Sequence, residues 1–114
     1  MSGILYHNPQ CSKSRQTLAL LTERGIEPRV VEYLKTPLTE AQLRTLLKQL
    51  NLSAHQLIRA SETPYKELAL SKNSTENELI AAMVTHPKLI ERPIFVYKER
   101  AVIGRPPENV LALL

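Results

Sequence analysis

Among the 114 residues there is one cysteine, Cys11, and its neighbours are of the kinds that make a thiol react. It stands where a short apolar stretch, Gly3-Ile4-Leu5-Tyr6-His7, gives way through the turn-forming Asn8-Pro9-Gln10 to a helical pattern that begins at Ser12. Unpaired backbone N–H groups point outward at a helix start, and the helix dipole adds partial positive charge there. Both favour the thiolate, which is the nucleophilic form. The same N–H groups, with the hydroxyls of Ser12 and Ser14, make a seat for an oxyanion. His7 precedes Cys11 by four residues. As imidazolium it would favour the thiolate, as a neutral base it could relay a proton, and its structural alternative is a strand-end histidine bonded to the backbone. Three arginines complete the candidate set: Arg59, Arg92 and Arg105. A guanidinium grips an oxyanion bidentately without losing its charge. Arg92 and Arg105 each precede a proline, which biases them toward extended backbone, and Arg92-Pro93 is a place where a cis bond can occur. Spacing alone does not gather these arginines around Cys11.

Several other chemistries are excluded. One cysteine allows neither an internal disulfide nor a Cys-rich zinc site, and the three histidines form no metal-binding pattern. Cys-x-x-Cys is absent because Ser14 occupies the second position, so dithiol exchange within one motif is impossible. A phosphatase-type loop needs arginine six residues after the cysteine, where this chain has Thr17.

The elements that must position these residues are well punctuated. Gly3–His7 reads as a buried strand, and Ser12 to Arg24 as a helix with Leu18, Leu21 and Thr22 on one face and Gly25 as its stop. Glu27 to Tyr33, with Val30 and Val31, reads as a second strand, parallel to the first across a βαβ unit. The middle of the chain is helical. Thr39 with Gln42, and Ser53 with Gln56, are capping boxes flanked by the staples Leu38/Leu43 and Leu52/Leu57. Leu43, Leu46, Leu47 and Leu50 form an apolar stripe that Asn51 closes. Pro64 opens a short helix through Leu70, and Thr75 with Glu78 opens another, bearing Leu79, Ile80, Met83 and Val84, that Pro87 ends. Ile94–Tyr97 and Ala101–Ile103 flank a charged turn, Lys98-Glu99-Arg100, and Pro106-Pro107 lead into a last helix, Glu108 to Leu113. The order is βαβ, a helical block, then ββα. That is an α/β, thioredoxin-like fold: one domain over residues 1–114, with a four-stranded mixed sheet and a helical insertion at about 38–86.

Composition fits this reading. The core must be aliphatic, with no Trp, one Phe and four Tyr. No apolar run approaches the ~18 residues of a membrane helix, and the N-terminal residues lack signal-peptide character. A cytoplasmic protein without membrane contact is expected. The net charge of +4 comes from dispersed Lys and Arg, which suits an anionic small substrate better than nucleic acid.

Tyr6-His7-Asn8-Pro9-Gln10-Cys11-Ser12-Lys13-Ser14-Arg15 resembles the active-site signature of the ArsC family, the glutaredoxin- and glutathione-coupled arsenate reductases. Leu57-Ile58-Arg59 with Tyr65-Lys66-Glu67-Leu68, then His86-Pro87-Lys88-Leu89-Ile90-Glu91-Arg92-Pro93-Ile94, and finally Gly104-Arg105-Pro106-Pro107-Glu108 resemble the later family segments in the same order. The resemblance implies that the Cys11 thiolate attacks arsenate, that glutathione attacks the adduct, and that glutaredoxin restores the thiol with arsenite as product. It implies that Arg59, Arg92 and Arg105 bind the anion and stabilise the intermediate, that His7 is the histidine beside the nucleophile, and that Pro93 is a cis-proline facing it. Glutathione is then a co-substrate, with no bound cofactor or metal, and a monomer is expected. Two alternatives stay open: an Spx-type redox regulator that binds RNA polymerase, and a monothiol glutaredoxin-like oxidoreductase. The first usually uses Cys-x-x-Cys, which Ser14 breaks here.

Overall fold

The computed structural model describes residues 3–114. The chain packs as two compact units, one made of the chain up to Thr36 together with Arg92–Leu114, the other of Pro37–Glu91.

The first unit holds β1 (Ile4–Tyr6), α1 (Ser12–Glu23), β2 (Arg29–Val31), β3 (Ile94–Tyr97), β4 (Arg100–Ile103) and a C-terminal 3-10 helix (Pro107–Leu113). The strands form one mixed sheet in the order β2-β1-β3-β4. β1 runs parallel to β2, with Leu5 opposite Val30, and antiparallel to β3, with Leu5 opposite Phe95. This is the thioredoxin-like arrangement. α1 ends in a Schellman motif: Gly25, at φ 76°, donates to the Thr22 carbonyl, and Ile26 donates to the Leu21 carbonyl. The face that α1 buries is Ser14, Thr17 and Leu21, with Leu18 partly covered. Thr22, expected on that face, is exposed, and its hydroxyl donates to the Leu18 carbonyl. The buried stripe thus turns toward small polar residues at the start of the helix. Leu21 joins Leu5, Phe95, Val110 and Leu113 in the core, and Leu18, Ile26, Tyr97, Val102 and Leu111 pack around them.

Two boundaries in this unit differ from expectation. The β3–β4 turn uses two residues, Lys98 and Glu99, both at positive φ (52° and 65°), as the right-handed strand twist favours in a tight hairpin. Arg100 therefore belongs to β4 and pairs with Tyr97. The chain after Pro106 winds as a 3-10 helix rather than an α-helix.

The second unit holds α2 (Glu40–Leu50), α3 (Ala54–Leu57), α4 (Thr63–Glu67), α5 (Glu76–Thr85) and a 3-10 turn, Pro87–Leu89. Full capping boxes open α2 and α5: Thr39 Oγ1 accepts from the Gln42 N–H at 3.1 Å, and Thr75 Oγ1 accepts from the Glu78 N–H at 3.1 Å, with each partner side chain reaching back. At α3 the Gln56 carbonyl oxygen accepts from the Ser53 N–H, and Glu76 of α5 accepts from the Ala54 N–H. Asn51 closes α2 in the left-handed conformation, φ 58°. α4 ends at Glu67, earlier than expected, because the backbone reverses at Ala69, φ 54°. α2 and α3 pack on α5, where Leu43, Leu46, Leu47, Leu57, Leu79, Ile80 and Met83 are buried. Among the described residues no helix is long and apolar enough to cross a membrane.

Candidate active site

Cys11 is the N-cap of α1, in extended backbone at φ −94°, ψ 123°. The loop before it is tied down locally. Asn8 Oδ1 accepts from the Gln10 N–H at 3.0 Å, the Asn8 carbonyl accepts from the Cys11 N–H at 3.0 Å, and the exposed Arg15 reaches back to the Pro9 carbonyl at 2.9 Å. The sulfur is thereby held over the first turn. Partial burial raises the Cys11 pKa, but the Ser14 N–H, the Arg105 guanidinium and the Lys13 N–H together outweigh it, and the thiol lies below its ordinary value. The physical cause is the helix start itself, supplemented by one cation.

That cation arrives from a distant part of the sequence. Arg105 Nη2 is 3.7 Å from Cys11 Sγ, while its Nε donates to the Arg92 carbonyl at 2.8 Å. Asn109 Nδ2 holds the Arg105 carbonyl at 2.9 Å. Arg92 enters β3 through a cis bond to Pro93, and its Nε and Nη1 are buried. A second cis bond, Arg105–Pro106, follows directly on the cationic residue. Arg59 lies in the second unit. There its Nη1 meets Glu62 at 3.1 Å, its Nε meets Glu91 at 3.6 Å, and its N–H donates to the Leu89 carbonyl.

His7 and Ser14 are placed differently from their simplest reading. His7 is buried, and desolvation holds its imidazole below the usual histidine range, outweighing the opposing pull of Glu32 and reinforced by Arg15. Burial thereby favours its neutral form over the imidazolium. Its Nδ1 lies 2.7 Å from the Ser14 hydroxyl, whose oxygen also accepts from the Asn8 N–H at 3.0 Å. The Ser14 side chain is fully buried and spans the loop; what it offers the sulfur is its N–H. Ser12 is exposed on the first turn. Sequence reasoning missed the supporting residues Asn8, Thr17, Gly104 and Asn109. Only the Asn8 turn had a local signal, the Asn-Pro dipeptide. An open groove of about 310 Å³ along β2 is lined by Arg29, Val30, Val31, Glu32, Lys35 and Thr36 and contains none of the candidate residues. Among the described residues no group of three or more His, Cys, Asp or Glu side chains could hold a metal.

Residues 6–113 match the ArsC family. The chain belongs to the ArsC family. The matched stretch contains Cys11 and all three candidate arginines. Across 112 residues the chain is 57% identical to YfgD of Escherichia coli, covering 96% of this chain and 94% of that one. It is 45% identical to an arsenate reductase of Neisseria meningitidis, with 96% of each chain covered. A solved structure, the arsenate reductase from Vibrio cholerae, superposes with a TM-score of 0.96 at 50% identity, covering 100% of this chain and 98% of that one.

Proposed function

We propose that this protein is an arsenate reductase in which the Cys11 thiolate attacks arsenate, and that glutathione and glutaredoxin complete the reduction. The observation that carries the reading is the contact between the chain's one cysteine and a guanidinium, Arg105 Nη2 at 3.7 Å from Sγ, at the N-cap of α1. The oxyanion is named from the arsenate reductases of Neisseria meningitidis and Vibrio cholerae, which are similar over nearly the whole chain.

In the first step Sγ bonds to arsenic, an As–O bond breaks, and the oxygen leaves as water after protonation. Charge on the remaining oxygens is met by Arg105 and Arg92 and by the N–H groups of the first turn. Preorganised donors of this kind act on the transition state without reorganisation cost. Arsenic(V) needs two electrons to become arsenic(III), and two sulfurs supply them by joining in a disulfide. The chain has one thiol, so the reductant comes from outside. Glutathione bonds to the adduct with loss of a second water. A glutaredoxin thiolate then takes the glutathione sulfur as a mixed disulfide and leaves the electron pair on arsenic. Water releases arsenite and restores the Cys11 thiolate. Such a cycle suits a compartment where glutathione is kept reduced, such as the cytoplasm.

The test is arsenite formation by the purified protein with glutathione and glutaredoxin present, and with each omitted. Formation that needs both is expected, and Cys11→Ser should abolish it without lowering the unfolding midpoint, since a serine caps the helix start at least as well. Full activity in Cys11→Ser, or no arsenite from the native protein, would overturn the reading. Rapid reduction of a glutathione mixed disulfide with no action on arsenate would instead identify a monothiol oxidoreductase.

A further inference from the structure

The residue before Arg105 sits in a space that admits no side chain. Gly104 is buried, and its N–H donates to the Pro93 carbonyl at 2.9 Å. A Cβ at this position would lie 2.8 Å from Thr17 Oγ1, 3.0 Å from Pro93 Cγ and 3.2 Å from Thr17 Cγ2. Its φ is not in the left-handed region, so the requirement for glycine is one of space and not of backbone conformation.

Neither neighbour gives way easily. Thr17 is fully buried on α1, and its Oγ1 donates to the Lys13 carbonyl at 2.8 Å, which fixes its rotamer. A β-branched side chain on a helix has few rotamers to retreat to. Pro93 is buried and ring-closed. A side chain at position 104 would therefore push the chain outward from α1, and Arg105 would move with it. Arg105 Nη2 stands 3.7 Å from Sγ, a long hydrogen bond to sulfur, so an outward shift of the segment that carries it weakens the contact.

We infer that Gly104 is a positioning residue for Arg105: its close seat against Thr17 and Pro93 sets the reach of the guanidinium to Cys11. The inference rests on Cys11 as the reacting thiolate and not on which oxyanion it attacks. Thr17 then has a role that its polar type does not suggest. It is the floor that fixes how near the Gly104–Arg105 segment comes to the first turn of α1.

The experiment follows the Cys11 thiolate by its absorbance at 240 nm against pH, and by its alkylation rate at fixed pH, in folded protein monitored by circular dichroism. Gly104→Ala is expected to move the titration upward as far as Arg105→Ala does and to slow alkylation at pH 7 about fivefold or more. The double variant Gly104→Ala, Arg105→Ala should be no slower than Arg105→Ala alone, since both changes remove one contact. Adding Thr17→Ala to Gly104→Ala removes the obstructing Oγ1 and Cγ2 and should restore a titration close to the native one. Thr17→Leu presses the same contact from the helix side and serves if Gly104→Ala does not fold; it too should raise the titration. A native titration in folded Gly104→Ala or Thr17→Leu, or no restoration by Thr17→Ala, overturns the inference while leaving the proposed function standing. No effect of Arg105→Ala on the titration also overturns the inference; the proposed function fails separately, by the absence of arsenite formation.

Discussion

Replacing Arg105 by alanine separates two contributions that one guanidinium can make. In the resting protein its Nη2 is 3.7 Å from Cys11 Sγ. Two unit charges at that separation interact by about 1 kcal/mol in bulk water and about 4.5 kcal/mol at an effective dielectric of 20. Arg105 is exposed and Cys11 only partly covered, so the lower end applies. The loss should be about 1–2 kcal/mol, roughly a factor of 5–30 in the ratio of thiolate to thiol. In the proposed reaction the same group would also meet new charge on the arsenate oxygens, and removing one such donor typically costs ~10²–10³ in turnover. The assay is therefore double. Thiolate absorbance against pH reads the resting effect, and arsenite production at several pH values reads the reaction. The titration should move up toward that of an ordinary thiol. Turnover should remain about a hundredfold below native even at a pH where both proteins have fully ionised Cys11. If raising the pH restores native turnover, Arg105 only ionises the thiol, and the transition-state argument fails. If neither quantity changes, the contact between the two residues has no weight in solution.

Three further perturbations test the support of the site. Burial lowers the His7 pKa below its unfolded value of 6.5, so the unfolded chain binds more protons between the two values, and stability falls as pH drops through that window. His7→Asn retains an acceptor facing Ser14 and should flatten the dependence of the urea midpoint on pH between about 7.5 and 5; an unchanged slope would show that another group is responsible. Leu21→Ala opens a cavity in the core that backs α1 and should cost about 2–5 kcal/mol in urea unfolding, with a loss under 1 kcal/mol contradicting its place there. Thr75→Ala breaks the capping box of α5 and should cost about 1 kcal/mol by the same measurement, with Thr75→Ser recovering most of it.

Most of the element order could be read in advance because its signals are local. The capping boxes at Thr39 and Thr75, the Gly25 stop and the Asn51 closure each depend on side chains within a few residues of one another, and they stand where expected. Cys11 was legible for the same reason, since a strand, an Asn-Pro turn and a helix pattern fix its place at the N-cap. The misplaced features depend on contacts between remote segments. The buried face of α1 includes Ser14 and Thr17, and Thr17 lies close against Gly104 from the far end of the sequence, a packing partner that no helical periodicity can foresee. The charge state of His7 follows from its burial, and the occupation of the Ser14 hydroxyl from a loop that closes on itself. The approach of Arg105 to Cys11 spans a sequence separation of 94 residues, and before the fold is known the family resemblance is what points to it.

The three longer helices show how the site is assembled from an omission. α2 and α5 begin with complete capping boxes and with acidic residues in their first turns, Glu40 in one and Glu76 and Glu78 in the other. α1 has no side-chain cap of standard geometry and no acid in its first turn. An oxygen cap in place of Cys11 would stabilise such a helix by about 1 kcal/mol, and an acid in the first turn would add several tenths. Either would also occupy or neutralise the N–H groups that now lower the thiol. α1 forgoes both and remains anchored at its far end by the Schellman motif at Gly25 and by Leu21 in the core. The stability it gives up at the N-terminus is the free energy by which the first turn favours an anion. In the proposed reaction two anions draw on it in succession: the thiolate in the resting protein, and the oxyanion that it would attack. A change that adds an acid to the first turn, such as Ser12→Asp, should therefore stabilise α1 and weaken the site together, because the same N–H groups serve both ends.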